Sequence, residues 1–163
     1  MPTTPDTSAL LSGFNLLSLV QETFVALCAI LLATGFHGAW SSRILFHSEG
    51  VMQRHLSAKR FNRVILQCYL AVLGLVLVHL AEIGFWGLSL LIFDLTDNLL
   101  EALLIAGSTY TTVGFESDSL RPGWKLYMIF IAVSGLFNFA WSTSTLMTLF
   151  TQGREAYRLK LRL

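Results

Sequence analysis

Three long apolar runs dominate the pattern of hydrophobic and polar positions along the chain. They cover Leu16–Trp40, Val64–Phe93 and Tyr127–Phe150, and each is long enough to cross a ~30 Å hydrocarbon core as a helix of roughly 20 residues. A fourth segment, Asn98–Phe115, begins apolar and then becomes rich in Ser, Thr and Gly. Its apolar part is too short to span, which is typical of a re-entrant segment. The pattern predicts an all-α membrane protein with three transmembrane helices plus a short re-entrant helix and loop.

The composition supports a membrane location and excludes other classes. Of the 163 residues, 54% are hydrophobic and 13% charged, whereas soluble domains carry about 25% charged residues. The net charge of +1 offers no electrostatic support for nucleic-acid binding. Met1–Asn15 contains no Lys or Arg, so the first apolar run is interpreted as a retained span and not as a secretory signal.

Basic residues are concentrated in two segments, between the first two runs and after the third: Arg43, Arg54, Lys59, Arg60, Arg63, Arg154, Arg158, Lys160 and Arg162. The positive-inside rule therefore places the first loop and the C-terminus in the cytoplasm and the N-terminus outside. Three crossings satisfy this orientation, and the short segment then enters from the outside and returns there. We expect a multi-pass protein of the plasma (inner) membrane. The connection Ser41–Arg63 is either an interfacial helix or a solvated link.

The short segment contains a helix start followed by oxygen-rich residues. Asn98 and Glu101 form a capping-box pattern, which predicts a helix from Leu99 to about Ser108. If this helix enters from outside, the negative end of its dipole points towards the bilayer centre and favours a cation there. Hydroxyl and carbonyl oxygens of the following residues can replace the hydration shell of an alkali cation. Gly114 can adopt backbone angles that turn successive carbonyls towards one axis.

These residues carry a family resemblance. The run T-Y-T-T-V-G-F at 109–115, between a short apolar helix and a membrane span, resembles the pore loop of the potassium-channel family, whose pattern is T-x-T-T-V-G-Y-G-D. The resemblance covers roughly Asn98–Leu149 and implies a pore module of the two-span type, with a pore helix and a filter loop. It implies that the filter carbonyls belong to Thr112, Val113, Gly114 and Phe115. The alternative is a simple glycine-containing turn between two membrane helices.

The chain departs from the family pattern after the first glycine. Glu116 stands where the family has its second glycine, Ser117 replaces the following Asp, and an acidic residue returns at Asp118. A single-glycine filter is also similar to the pore loops of Trk/Ktr-type potassium transporters, which carry four loops in one chain. Passage of Na⁺ as well as K⁺, and a non-conducting or regulatory membrane protein with a degenerate pore loop, therefore stay open as alternatives. Glu116 and Asp118 are expected at the outer mouth.

Four residues of the third span share one helical face, at spacings of three and four: Ser134, Asn138, Trp141 and Thr145. The resemblance implies that this helix lines an inner cavity, so that these side chains would face the ion path. The alternative is hydrogen bonding and packing between helices, for which Ser, Thr and Asn are commonly used in membranes. The pattern alone does not separate the two interpretations.

The second span carries His79, Glu82 and Trp86 on one face. An intramembrane carboxylate is a functional candidate by default, and this one could respond to pH, bind a cation or support the pore helix. We favour support of the pore helix. No nucleophile or third metal ligand is evident, so we expect no enzymatic activity, no cofactor and no metal beyond permeant K⁺ or Na⁺. Glu22 in the first span is expected to reach the outer interface.

One pore loop per chain cannot surround an ion, so the resemblance implies a homotetramer. The expected partners are further copies of the chain, the lipid bilayer and alkali cations. We divide the chain into three parts. Residues 1–63 hold the N-terminal outer segment, the first transmembrane helix and a basic cytoplasmic loop. Residues 64–152 form the pore module of outer helix, pore helix, filter and inner helix, and residues 153–163 form a short basic cytoplasmic tail.

Overall fold

The computed structural model describes residues 16–114 and 124–161, and within these ranges the chain is helical without strands. In chain order the helices are α1 (Leu16–Ser57), α2 (Phe61–Ile92), α3 (Leu99–Tyr110) and α4 (Lys125–Leu161). The segments Leu19–Ser57, Phe61–Ile92 and Leu126–Leu161 are long and apolar enough to cross a membrane. The prediction of an all-α protein with three such helices is confirmed.

Helix α1 extends well past the first apolar run and includes residues 41–57. Ser48 and Met52 lie one turn apart and are buried, because this half of α1 packs against the neighbouring long helices. Met52 belongs to one apolar cluster with Val64 and Leu149, and the Gln67 amide donates to the Ser48 hydroxyl at 3.2 Å. The segment is therefore neither a separate interfacial helix nor a solvated link.

Helix α1 ends without a glycine. Lys59 has a φ of 54°, and the amides of Lys59 and Arg60 donate to Leu56 and His55 carbonyls at 2.9 and 2.8 Å. This pair of bonds is the Schellman arrangement that closes a helix C-terminus. It reduces the connection between α1 and α2 to three residues, 58–60, and holds the two helices antiparallel.

The apolar core nearest α3 combines small and large side chains. Helix α1 contributes Ala26, Ala29 and Ala33 to the same cluster as the fully buried Trp86 and Tyr127. The two rings meet edge to face with centroids 5.6 Å apart. Small residues allow membrane helices to approach closely, so this face of α1 sits tightly on α2 and α4.

Helix α3 packs between α2 and α4, and among the described residues none of its Cα atoms lies within 8 Å of a Cα atom of α1. Its start agrees with the prediction, since the Asn98 side chain accepts a hydrogen bond from the Leu100 amide at 2.9 Å. The helix continues two residues past the predicted end, to Tyr110. Its last residue thereby enters the middle of the bundle.

Candidate functional site

The loop that follows α3 is held by its amide groups. The amides of Val113 and Gly114 both donate to the carbonyl of Ser108, at 2.8 and 3.2 Å, and the Thr112 amide donates to Thr109 at 3.0 Å. The donors of the loop are therefore directed back at the C-terminal end of α3. The acceptors are left for other partners.

The carbonyls of the loop accept no hydrogen bond from the described residues. All four of its residues are exposed in the single chain, and the Val113 side chain is 64% exposed. The residues concerned are Thr111, Thr112, Val113 and Gly114. Carbonyl oxygens without a partner among the described residues can ligate a cation if further oxygens converge on them.

The backbone of the loop is strained at one position. Thr112 has a φ of 60° and Gly114 a φ of 67°, while Val113 between them is not in this region. Glycine accepts a positive φ without cost, but a β-branched residue there costs on the order of 1–3 kcal/mol and persists where the surroundings enforce it. Such strain is concentrated at functional sites, which makes Thr112 the conformationally demanding residue of this loop.

Part of the predicted filter and the whole predicted outer mouth lie outside the described residues. These are Phe115, Glu116 and Asp118. Their roles stay predictions, as do the filter roles of Thr112, Val113 and Gly114, whose backbone is described above.

Behind the loop, the side chain of Tyr110 enters a set of buried polar groups. Its hydroxyl donates to the Glu82 carboxylate and lies 2.8 Å from Nδ1 of His79. The other carboxylate oxygen of Glu82 lies 2.8 Å from Nδ1 of His37. His79 and Glu82 were candidates from the sequence, whereas Tyr110 and His37 were missed.

Ser142 closes this set from α4. Its hydroxyl lies 3.0 Å from Nε2 of His79 and 3.2 Å from Nε2 of His37. We call these five residues, His37, His79, Glu82, Tyr110 and Ser142, the buried polar cluster. Every described helix contributes to the cluster, and all of its side chains are buried. It joins α1 to the end of α3, although the backbones of these two helices are not adjacent.

The cluster provides the hydrogen bonds that a buried carboxylate requires. A carboxylate away from water is costly unless it is paired and hydrogen-bonded, and Glu82 has a partner at each oxygen. The imidazole of His79 also stacks on Phe139, with ring centroids 4.4 Å apart. The position of each polar group is therefore coupled to that of its neighbours.

Three members of the cluster have the chemistry of metal ligands. One ligand atom from each of His37, His79 and Glu82 lies within 4.8 Å of the other two, and imidazole and carboxylate groups suit Zn²⁺. Both nitrogens of each imidazole already face a hydroxyl or a carboxylate at 2.8–3.2 Å. A metal ion would have to displace these hydrogen bonds, so the arrangement fits a closed hydrogen-bond network better than an open metal site.

Trp86 shares a helical face with Glu82 but belongs to a different environment. It is fully buried in the apolar core beside Tyr127, and its indole nitrogen has no hydrogen-bond partner among the described residues. The structure thus separates the predicted trio, with His79 and Glu82 in the buried polar cluster and Trp86 in the core.

The polar face of α4 turns towards the other helices of the same chain. Ser134, Asn138 and Thr145 are buried, while Trp141 is 39% exposed and its ring lies against Gly38 of α1. Neither polar atom of the Asn138 amide has a hydrogen-bond partner among the described residues. Three of these four side chains therefore lie between helices of one chain, and the inner-cavity role of the four stays a prediction.

Glu22 does not extend to the outer interface as expected. It is only 4% exposed, and its carboxylate accepts a hydrogen bond at 3.1 Å from the backbone amide of Tyr127, in the first turn of α4. A carboxylate at a helix N-terminus satisfies an unpaired amide and complements the helix dipole. The local sequence of α1 contained no signal for this long-range cap.

Comparison with protein-family models, with curated proteins and with solved structures returned no match for this chain. The resemblance to the potassium-channel family therefore rests on the residues of the short segment and on their order between two long apolar helices. Over its described residues the chain is all-helical, with three helices long and apolar enough to cross a membrane.

Proposed function

We propose that the chain is one subunit of a tetrameric, potassium-channel-like cation channel in which the loop after α3 is the selectivity filter. The observation that carries this proposal is the direction of the loop's hydrogen bonds. The amides of the loop donate hydrogen bonds to the Ser108 and Thr109 carbonyls, while the carbonyls of the loop accept no hydrogen bond from the described residues. Unpaired carbonyls are the groups that replace the hydration shell of a permeant cation.

Assembly follows from the need for several loops around one ion. A single strand provides too few oxygens, and cyclic symmetry supplies the remaining copies. The exposed loop and the exposed apolar side of α4, which includes Val133, Leu136 and Met147, leave surfaces for neighbouring subunits. In this arrangement α3 is a pore helix that enters the membrane part way.

The buried polar cluster supports the pore helix in this proposal. Tyr110 is the residue immediately before the loop, and its hydroxyl is bound by Glu82 and His79 of α2. Since His37 and Ser142 hold the same groups from α1 and α4, the end of α3 is tied to all three long helices. A fixed end of α3 keeps the filter carbonyls at a constant position along the pore axis.

The orientation belongs to the proposal as well. Lys and Arg cluster at the end of the bundle where α1 passes into α2 and where α4 ends. The positive-inside rule assigns this end to the cytoplasm and the opposite end, with the start of α1, to the outside of the plasma membrane. The outer end of α3 then faces the same side as the start of α1.

Ion flux from proteoliposomes tests the proposal directly. Purified protein is reconstituted, and K⁺ and Na⁺ gradients are exchanged across the membrane. We expect K⁺ flux that is lost in Gly114→Ala, because a Cβ strains a backbone with a φ of 67°. Gly84→Ala is the matched control, since a Cβ at position 84 meets nothing within 4 Å. Unchanged flux in Gly114→Ala would show that this loop is not the filter.

Glu116 in place of the family's second glycine sustains two alternatives. Equal fluxes of K⁺ and Na⁺ would indicate a weakly selective cation pore. A tetramer that carries neither ion would indicate a non-conducting or regulatory membrane protein. A monomer in lipid, measured by native mass spectrometry, would contradict a pore built from copies of this chain.

A further inference from the structure

An open surface pocket lies at the basic end of the bundle, where α1 turns into α2. Its volume is about 310 Å³, and we call it the basic cavity; it is lined by Lys59, Arg60, Phe61, Asn62, Arg63 and Lys160. Lys160 arrives from the end of α4, and its ammonium donates to the Asn62 side chain at 2.9 Å. This hydrogen bond holds the Lys160 ammonium, the fourth cationic group of the basic cavity, beside residues 59–63.

The basic cavity carries positive charge that no described residue neutralises. Among the residues that the structure describes, its lining contains four cationic side chains and no carboxylate. Among the described residues, none of Lys59, Arg60, Arg63 and Lys160 forms an ion pair. Like charges held together disfavour each other, so an anion with several oxygens would stabilise this arrangement. Phosphate suits it well, because guanidinium groups bind phosphate oxygens in pairs and ammonium groups bind them as point charges.

An apolar surface begins one turn away from the basic cavity. The residues that follow Arg63 on the same face of α2, at alternating spacings of three and four, are all leucines and all at least half exposed: Leu66, Leu70, Leu73, Leu77 and Leu80. This stripe belongs to the part of α2 that can cross a membrane. The basic cavity thus lies at the border between the apolar stripe and the polar end of the bundle, which is the depth of lipid headgroups.

We propose that the basic cavity binds the phosphate of an anionic glycerophospholipid whose acyl chains lie along the leucine stripe of α2. Free phosphate would contact the same cationic groups, but it has no acyl chains that could contact the apolar stripe beside them. The site is independent of conduction, because it lies at the end of the bundle and requires only the contacts within one chain. It adds a lipid ligand of defined chemistry to the proposed channel.

Lipid retention measured by native mass spectrometry tests the site. The full chain is released from mixed micelles with equal amounts of phosphatidylglycerol and phosphatidylcholine. The pair Arg60→Gln and Arg63→Gln removes two charges from the basic cavity. The matched pair Arg154→Gln and Arg158→Gln removes two exposed charges from the same end of the bundle, outside the basic cavity. We expect the first pair to lower retention of phosphatidylglycerol about tenfold or more and the second pair to preserve it.

A second variant guards against misfolding of the first pair. Lys59 is exposed with a φ of 54°, a conformation that Asn adopts readily, so Lys59→Asn removes one charge without disturbing the turn. We expect a partial loss of phosphatidylglycerol, of about threefold. Unchanged retention in both cavity variants, or an equal loss in the matched pair, would overturn the proposal.

Inorganic phosphate separates a lipid site from a free-phosphate site. Titration with inorganic phosphate at constant ionic strength should displace little phosphatidylglycerol, because phosphate alone lacks the contacts with the leucine stripe. Displacement at phosphate concentrations equal to those of the lipid would show that the cavity recognises free phosphate and would contradict a lipid site. Equal retention of phosphatidylcholine and phosphatidylglycerol by the natural sequence would contradict it as well.

Discussion

The carbonyl group of Tyr110 lies directly against the backbone of Gly135, so that a Cβ atom at position 135 would overlap the carbonyl oxygen and come within 2.9 Å of the carbonyl carbon. Tyr110 ends α3 and precedes the candidate filter loop. The absence of a side chain at 135 therefore sets how closely the start of the loop approaches α4. Glycine in membrane helices serves more often for close packing than for bending, and this contact is an instance of close packing.

Gly135→Ala should displace the end of α3. The carbonyl is backbone and cannot swing aside as a flexible side chain does, so we expect a loss of stability of about 1–3 kcal/mol together with reduced K⁺ flux. The midpoint of thermal unfolding in detergent and the flux assay report the two effects. Gly84→Ala, where a Cβ meets nothing within 4 Å, is the control. Stability and flux in Gly135→Ala equal to those of the unsubstituted protein would contradict the close approach of the Tyr110 carbonyl to Gly135.

The hydrogen bond between Tyr110 and Glu82 should be coupled energetically to the rest of the buried polar cluster. Tyr110→Phe removes the donor of this bond, and Glu82→Gln removes the negative charge of its acceptor; hydrogen bonds to charged groups contribute roughly 1.5–3 kcal/mol. The double variant should lose less stability than the sum of the two single variants, with a coupling energy of about 1 kcal/mol or more. Additive losses in unfolding experiments would show that the two side chains act separately.

Glu22→Gln should loosen the first turn of α4. The Gln side chain can still accept from the Tyr127 amide, but it loses the charge that complements the helix dipole, which is worth about 1 kcal/mol. Amide hydrogen exchange in the first turn of α4 should increase, while exchange in α2 stays unchanged. Glu155→Gln, at an exposed position near the other end of α4, is the control and should leave the first turn protected.

Glu116→Gln should lower inward cation conductance at low ionic strength. In a tetramer four copies of Glu116 and Asp118 would surround the outer mouth, where rings of carboxylates concentrate cations. The effect should shrink in concentrated salt, because the Debye length is only ~3 Å at 1 M. Alternatively, Glu116 pairs with Arg121 or Lys125 and stabilises the loop. That arrangement predicts lost thermal stability without a salt-dependent change in conductance.

Local patterns in the sequence were sufficient for the apolar parts of the long helices and for the start of α3, but not for residues 41–57, which continue α1. Long apolar runs predict the parts of α1, α2 and α4 that can cross a membrane, because side chains in contact with the hydrocarbon core must be predominantly apolar. Asn98 predicts the start of α3, because its side chain bonds an amide only two residues away. The face shared by His79 and Glu82 was visible for the same reason, as helical spacing is a local property.

Only the tertiary structure decided what these helices hold in place. His37 and Glu82 are 45 residues apart, Tyr110 and Glu82 are 28 apart, and Glu22 and Tyr127 are 105 apart, so no local spacing connects them. Whether Asn138 turns to a cavity or to a neighbouring helix likewise depends on how α4 is rotated against α1 and α2. The sequence by itself determined which segments are apolar and long enough to cross a membrane, since that is set within a few turns of chain. Packing between distant helices determined the partners of the buried polar groups, since each of those groups needs a hydrogen bond that its own helix does not supply.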